Sequence, residues 1–254
     1  MTQYQKLASV AVGTVLSLSA IEVTSLPSYG TVLEPGSSFA GHTLGEWSAD
    51  WWTTVLETPF DQNPVANSDP DGNLTTAFND PSNPVFYLTG VLLPDLVPVN
   101  RQVTVTEGKG IFFPLINTVN ILDPSNPQTV EELRAEAAAV IDGVDSLFAT
   151  IDGVEIPNLF NRREQSPTFN VNLPDGNLFG VTPGVYGPSV SDGYWAMVTD
   201  LTPGEYTISF GGSVGDFVQD STYTVNVVPV PEPSTLGFIG VGILGLLAHK
   251  RQQQ

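Results

Sequence analysis

The sequence predicts a mainly β chain: an antiparallel β-sandwich with two short α-helices, plus one apolar helix at each end. Three observations carry that prediction. Short stretches rich in β-branched and aromatic residues recur between clusters of Gly, Pro, Asn and Asp from residue 85 to residue 228. Only two segments combine a capping box with helical spacing of apolar residues. Uncharged apolar runs stand at the two ends of the chain.

The N-terminal run comes first. Lys6 is followed by the uncharged stretch Leu7 to Ile21, with small residues at Ser17, Ser19 and Ala20. A positive start, an apolar middle and small residues after it make the pattern of a secretory signal, with a buried N-terminal helix as the alternative. Residues 1–26 are assigned to this signal and its leader. The low-charge stretch to Ser38, with Pro27, Gly30, Pro35 and Gly36, leads into a sandwich domain over 40–229.

The first helix starts in "HTLGEWSADWWTTVLETP". Thr43 and Glu46 are spaced as a capping box, Leu44, Trp47, Trp51 and Val55 share one stripe with Trp52 beside it, and Thr58-Pro59 stops the run. The second helix opens on Thr129 and Glu132, continues through "VEELRAEAAAVID", and meets Gly143 where a C-terminal cap belongs. Leu133, Ala137, Val140 and Ile141 would face the core. The strand candidates are residues 85–92, 102–106, 111–116, 147–151, 168–173, 194–198, 205–210 and 222–228. "NDPSNP", "EGKG", "NLPDGN", "LTPGE" and "GGSVGD" supply turn residues between them. The last two strands form a hairpin that runs straight into the C-terminal tail.

That tail, residues 230–254, begins with Pro231-Glu232-Pro233, in which the rings fix φ and keep the chain extended. Ser234 to Ala248 follows without a charge; as a helix it would span ~22 Å, short of the hydrocarbon core of about 30 Å. His249, Lys250 and Arg251 close it, and a basic flank of this kind stays cytoplasmic, so Lys250 and Arg251 act as a membrane stop with the body outside. The run of PEP, short apolar helix and basic cluster resembles the PEP-CTERM sorting signal of exported bacterial proteins. The resemblance implies a chain held transiently in the membrane, processed by an exosortase-type enzyme, and then left in the cell envelope or extracellular matrix. An ordinary C-terminal anchor is the alternative.

The body carries a second resemblance. "GEWSADWW", "PVFYLTG", "RQVTVTEGKGIFFPLIN", "SDGYW" and "LTPGEYTISFGG" are similar to signature segments of an uncharacterised family of exported bacterial proteins. That family implies a domain boundary and no mechanism. Its members often carry cysteines at places where Val103 and Asn120 stand in this sequence, which would leave the same fold to packing alone.

Composition narrows the chemistry. The chain has 8 basic and 27 acidic side chains, a net charge of −19, two histidines and no cysteine. Lys6, Lys250, Arg251, Glu22 and Glu232 belong to the end segments, so five basic and 25 acidic residues remain in the body. Such a surface repels phosphate backbones and argues against a nucleic-acid partner. Thiolate sites are excluded, and His42 is the only imidazole in the body, so no catalytic constellation is visible.

Four sets of residues are candidates for function. Trp47, Trp51 and Trp52 either plug a core or, if exposed, form a stacking platform for extracellular polysaccharide. Arg101, Lys109 and Asn117 would line a cleft for a carboxylate or anionic sugar, with structural salt bridges of Arg101, Lys109, Arg162 and Arg163 as the alternative. "SDPDGN" places Asp69, Asp71 and Asn73 like the start of a calcium loop, but Gly72 comes two positions early and Asp80 replaces the closing Glu, so a polar turn competes. Paired carboxylates for polysaccharide hydrolysis are present in number, and nothing in the sequence singles out a pair. The expected role is structural or binding, with a glycan-binding module or a carboxylate-dependent enzyme as the alternative.

Overall fold

The computed structural model describes residues 30–122 and 127–231. The expected signal segment and the apolar run 234–248 lie outside the described residues. No helix among the described residues is long and apolar enough to cross a membrane.

The elements follow in chain order. Strands β1 (Thr31–Val32), β2 (Ser38–Phe39) and β3 (His42–Thr43) lead into helix α1 (Leu44–Glu57) and a short helix α2 (Asn73–Phe78). Then come β4 (Val85–Tyr87), β5 (Val99–Thr106), β6 (Gly110–Ile121), helix α3 (Val130–Ile141), β7 (Val144–Ile151) and β8 (Val154–Glu155). The chain ends through β9 (Arg163–Gln165), β10 (Phe169–Leu173), β11 (Gly184–Thr199), β12 (Gly204–Val214) and β13 (Phe217–Val228).

A mainly β fold is what these elements build. One sheet runs β1-β11-β6-β4, with β9 and β10 also on β11; a second runs β5-β13-β12-β7-β8, and β2 pairs with β3 alone. The sheets are mixed rather than purely antiparallel, since β4 is parallel to β6 and β5 is parallel to β13. The cause is a crossover: the chain leaves β4, passes to the opposite sheet for β5, and returns for β6, so β4 and β6 run the same way.

The first sheet is buried on both faces, which explains its near-continuous apolar sequence. On β11 the side chains alternate: Tyr194, Ala196 and Val198 enter the core between the sheets, while Trp195 and Met197 point to the other side. Between the sheets Phe113 meets Phe210 with ring centroids 4.8 Å apart. On the outer face Phe112 stacks on Trp195 at 5.0 Å, and α1 covers both, with Trp51 edge-on to Trp195 at 5.4 Å.

Pro114 interrupts β6 because it has no N–H to give a central strand. The register against β11 shifts there, with Trp195 opposite Pro114 and Tyr194 opposite Ile116. The extra residue turns two consecutive side chains, Leu115 and Ile116, into the same core. Gln219 repairs the ladder, its amide nitrogen donating to the carbonyls of Pro114 at 3.0 Å and Leu115 at 2.9 Å. Gly90 lies so close to Gln219 that a Cβ there would stand 2.1 Å from the amide oxygen.

Both capping boxes form. The Thr43 N–H donates to Glu46 at 2.7 Å while the Thr43 hydroxyl accepts from the Glu46 N–H at 3.2 Å, and Thr129 and Glu132 do the same at 2.8 and 3.2 Å. Two details of α3 differ from expectation. Val140 is 44% exposed, because Leu133, Ala137 and Ile141 alone fill the stripe facing the sandwich. Asp142 caps the helix in right-handed conformation, and Gly143 supplies no left-handed turn. The expected turn "GGSVGD" is mostly strand, the hairpin reversing only between Val214 and Phe217.

The edge strand β4 is closed by a side chain. Asn79 accepts from the Tyr87 N–H at 2.6 Å and donates to the Tyr87 carbonyl at 3.0 Å, as a neighbouring strand would.

The start and finish of the fold share one pole. Thr31 pairs with Thr199 at the end of β11, and Val228 pairs with Thr106 at the end of β5. The β12–β13 turn and the end of β6 at Ile121 lie at the other pole, a strand length away. Twelve residues of β6 make that distance ~40 Å.

Candidate functional site

The tryptophans resolve into the core alternative. Trp47, Trp51 and Trp52 are 3%, 3% and 4% exposed, so none offers a ring face to a ligand at the surface. The Trp47 indole N–H donates to the Phe39 carbonyl at 3.1 Å and that of Trp51 to the Leu88 carbonyl at 3.0 Å. A polysaccharide platform on these three residues is corrected accordingly: the outer face of the first sheet needs a cover, and α1 provides it.

Arg101, Lys109 and Asn117 do not form one cleft. Arg101 is 1% exposed on the inward side of β5. Its guanidinium donates to the carbonyls of Ser68 (3.0 Å), Thr89 (2.9 Å) and Asn67 (2.7 Å), to the Thr89 hydroxyl (2.8 Å) and to the Tyr223 hydroxyl (2.6 Å). It is a structural staple, with carbonyl dipoles in place of a carboxylate. Lys109 sits in the β5–β6 turn, bound to the carbonyls of Pro81 and Asn83, and burial pulls its ammonium below the ordinary lysine value. Asn117 lines a 20 Å³ cavity with Trp52 and Gln219, room for about one water and far too small for a sugar.

Arg162 and Arg163 are structural too. Arg162 donates to the Leu33 carbonyl at 2.6 Å. Arg163 joins Asp192 at 2.8 Å and Asp142 at 2.6 Å, and the hydrogen bond to Asp192 holds its guanidinium even more firmly charged.

The suspected calcium loop is a polar turn that caps α2. Asp69, in left-handed conformation, accepts from the N–H groups of Leu74 at 2.9 Å and Thr75 at 2.8 Å and from the Thr75 hydroxyl at 2.7 Å. Asp71 and Asn73 are exposed. Among the described residues no cluster of three or more acidic or histidine side chains is placed to hold a metal ion.

A larger concave site lies elsewhere, at the pole far from Val228. A groove of 580 Å³ is lined by Val119, Ile121 and Leu122 from the end of β6, Leu133 from α3, Leu173 from β10, and Phe179, Val181 and Tyr186 from the β10–β11 connection and the start of β11. Among the described residues its polar side-chain groups are Asn120, Gln128, Glu136 and the Tyr186 hydroxyl, which donates to the Thr182 carbonyl at 2.8 Å. The Glu136 carboxylate accepts from Gln128 at 2.6 Å and from Asn120 at 3.4 Å, and Asn120 also donates to the Leu133 carbonyl at 3.0 Å. Among the described residues no lysine or arginine lines the groove.

Asn177 builds one wall. Its amide nitrogen donates to the carbonyls of Pro174 and Val181, and its amide oxygen accepts from the N–H groups of Phe179 and Val181. That frame holds Phe179, 51% exposed, and Val181, 44% exposed, at the mouth of the groove. In sequence this stretch passes for a plain turn. The one available signal is "LFGV", apolar residues inside a segment otherwise made of turn formers.

Val103 fills the core between the sheets and Asn120 ties β6 to α3.

Comparison with known proteins adds the tail. Residues 229–252 match the PEP-CTERM protein-sorting motif, a span that takes in Pro231, Glu232, Pro233, Lys250 and Arg251. The match identifies a PEP-CTERM sorting signal and implies an exported chain, processed by an exosortase-type enzyme and sorted to the cell envelope or beyond it. No curated protein matches the chain.

Proposed function

We propose that this exported, exosortase-processed chain is a binding protein, which holds an elongated apolar molecule in the groove at the far pole of its sandwich. The groove's lining carries the proposal: mostly apolar walls around 580 Å³, with the polar side-chain atoms among the described lining residues on Asn120, Gln128, Glu136 and the Tyr186 hydroxyl. Small-molecule sites commonly enclose ~300–1,000 Å³ with mostly apolar walls and few polar groups.

The same lining disfavours the other occupants. A glycan brings many hydroxyls, each costly to bury without a partner, and the groove offers partners on one side only. Two-carboxylate hydrolysis needs a second acid across the substrate, and Glu136 is the single carboxylate among the described lining residues. The polar end of the ligand therefore donates hydrogen bonds or carries positive charge, to match Glu136.

Nile red, a neutral apolar dye, tests this on the mature protein. Saturable, blue-shifted emission is expected, with Phe179→Asp and Val181→Asp each raising the Kd about tenfold or more, equivalent to ~1.4 kcal/mol. Both side chains are largely exposed, so a thermal melt should show the variants folded. Unchanged dye affinity in both variants would overturn the assignment of the groove.

A further inference from the structure

We propose that the sandwich is processed while folded, with the pole around the β5–β6 and β11–β12 turns seated directly against the exosortase-type enzyme. This rests on the sorting assignment of the tail.

The tether is the reason. The Val228 carbonyl still accepts from the Glu107 N–H at 2.8 Å, and Pro231 follows three residues later. Three residues reach at most ~11 Å, and the prolines at 229 and 231 favour an extension nearer ~9 Å. Ser234, where the uncharged run begins, is six residues from Val228, at most ~22 Å. The body behind this tether is ~40 Å long, so it cannot swing clear of whatever grips Pro231-Glu232-Pro233.

Lengthening the tether by fraying is blocked. β13 is a central strand, paired with β12 on one side and β5 on the other. Each residue peeled away would break two ladders, and Val227, Tyr223 and Val225 would leave the core.

The pole presented to the enzyme is polar and acidic. Glu107, Asp200, Thr202 and Glu205 surround the exit of β13, while Lys109 is already engaged by carbonyls. The complementary face is a basic or hydrogen-bonding rim on the enzyme's outer side, and an anionic lipid surface is disfavoured. The groove is left pointing away from the membrane throughout.

Photo-crosslinking in the full-length chain, in cells that process it, separates the outcomes. A benzophenone amino acid is placed at Thr202, on the near pole, or at Asp216, in the β12–β13 turn on the far pole; both are exposed. The expected result is an adduct with the processing enzyme from Thr202, at least about tenfold stronger than from Asp216, because only the near pole is held at high effective concentration. A Gly-Ser insertion of about 20 residues between Val230 and Pro231, with a mean span of ~25 Å, should weaken the Thr202 adduct severalfold. Equal yields from the two positions, or no Thr202 adduct on a chain whose tail is being cleaved, would overturn the contact. A tail left uncleaved on the unaltered chain would instead overturn the sorting assignment beneath it.

Discussion

The guanidinium of Arg101 donates to the phenolic oxygen of Tyr223 at 2.6 Å, and that hydroxyl in turn donates to the Thr89 carbonyl at 2.8 Å. Three segments distant in sequence meet in this bond: β5, β13 and the crossover that follows β4. Arg101→Lys keeps the charge but loses the planar fork, leaving buried carbonyls around Asn67, Ser68 and Thr89 unpaired. The expected loss is ~3–5 kcal/mol, or roughly 10 °C in Tm for a domain of this size. Thermal unfolding of the mature protein measures it, and a shift of a degree or two would contradict the staple.

Trp51 joins α1 to the first sheet through its contact with Trp195 and its bond to the Leu88 carbonyl. Trp51→Ala should destabilise by ~3–5 kcal/mol through the cavity it leaves. Trp51→Phe retains most of the volume and should cost ~1–3 kcal/mol for the orphaned carbonyl. Urea unfolding ranks the two, and a ranking in the other order would deny the packing role.

Asp69 serves the first turn of α2 through three accepted hydrogen bonds. Asp69→Ala is expected to cost ~1–2 kcal/mol, the usual value of a lost N-terminal cap. Excess calcium or a chelator should leave the melting curve of the unaltered protein where it was. A calcium-dependent rise in Tm would restore the ion-binding alternative.

Hydrogen bonds from Thr43 hold the Glu46 carboxyl below its ordinary value, and those from Ser82 do the same for Asp80. Between the lowered folded value and the ordinary value, the unfolded chain binds more protons than the folded one. Each group therefore stabilises fully above the ordinary carboxylate range and loses that contribution as pH falls through the folded value. Glu46→Gln should lower stability at neutral pH and so flatten the acid limb of a stability-versus-pH curve, the two proteins converging at low pH. An acid limb identical to that of the unaltered protein would contradict the assignment.

Helices α1 and α3 were legible in the sequence because their starts depend on residues three apart, whereas the six-residue α2 is too short for apolar spacing to show. Thr43 with Glu46 and Thr129 with Glu132 meet their partners locally, whatever the rest of the chain does. The eight expected strands were legible as elements but not in extent, and the short strands β1, β2, β3, β8 and β9 leave no pattern of their own. The expected strand from residue 111 to 116 runs on to Ile121 because the bulge at Pro114 keeps its partners in register with β11. Beyond Tyr87 the chain leaves the sheet instead of continuing to residue 92, since Thr89 is drawn to Arg101 and Tyr223. The parallel pairings follow from a crossover between sheets, which no local pattern announces. The tryptophan stripe was visible, but its destination was not, because helical spacing does not show that a sheet face elsewhere needs covering. The groove was least legible of all. Its walls come from β6, α3, β10 and the segment around Phe179, and only the fold makes them neighbours.

The two bonds between Asn79 and Tyr87 have a meaning for life outside the cell. Exported chains accumulate beyond the reach of chaperones, where a bare strand margin can recruit copy after copy into fibrils. By standing in as the next strand and offering nothing further to pair with, a single amide side chain ends the ladder at that margin, so crowding at the cell surface need not become polymerisation there.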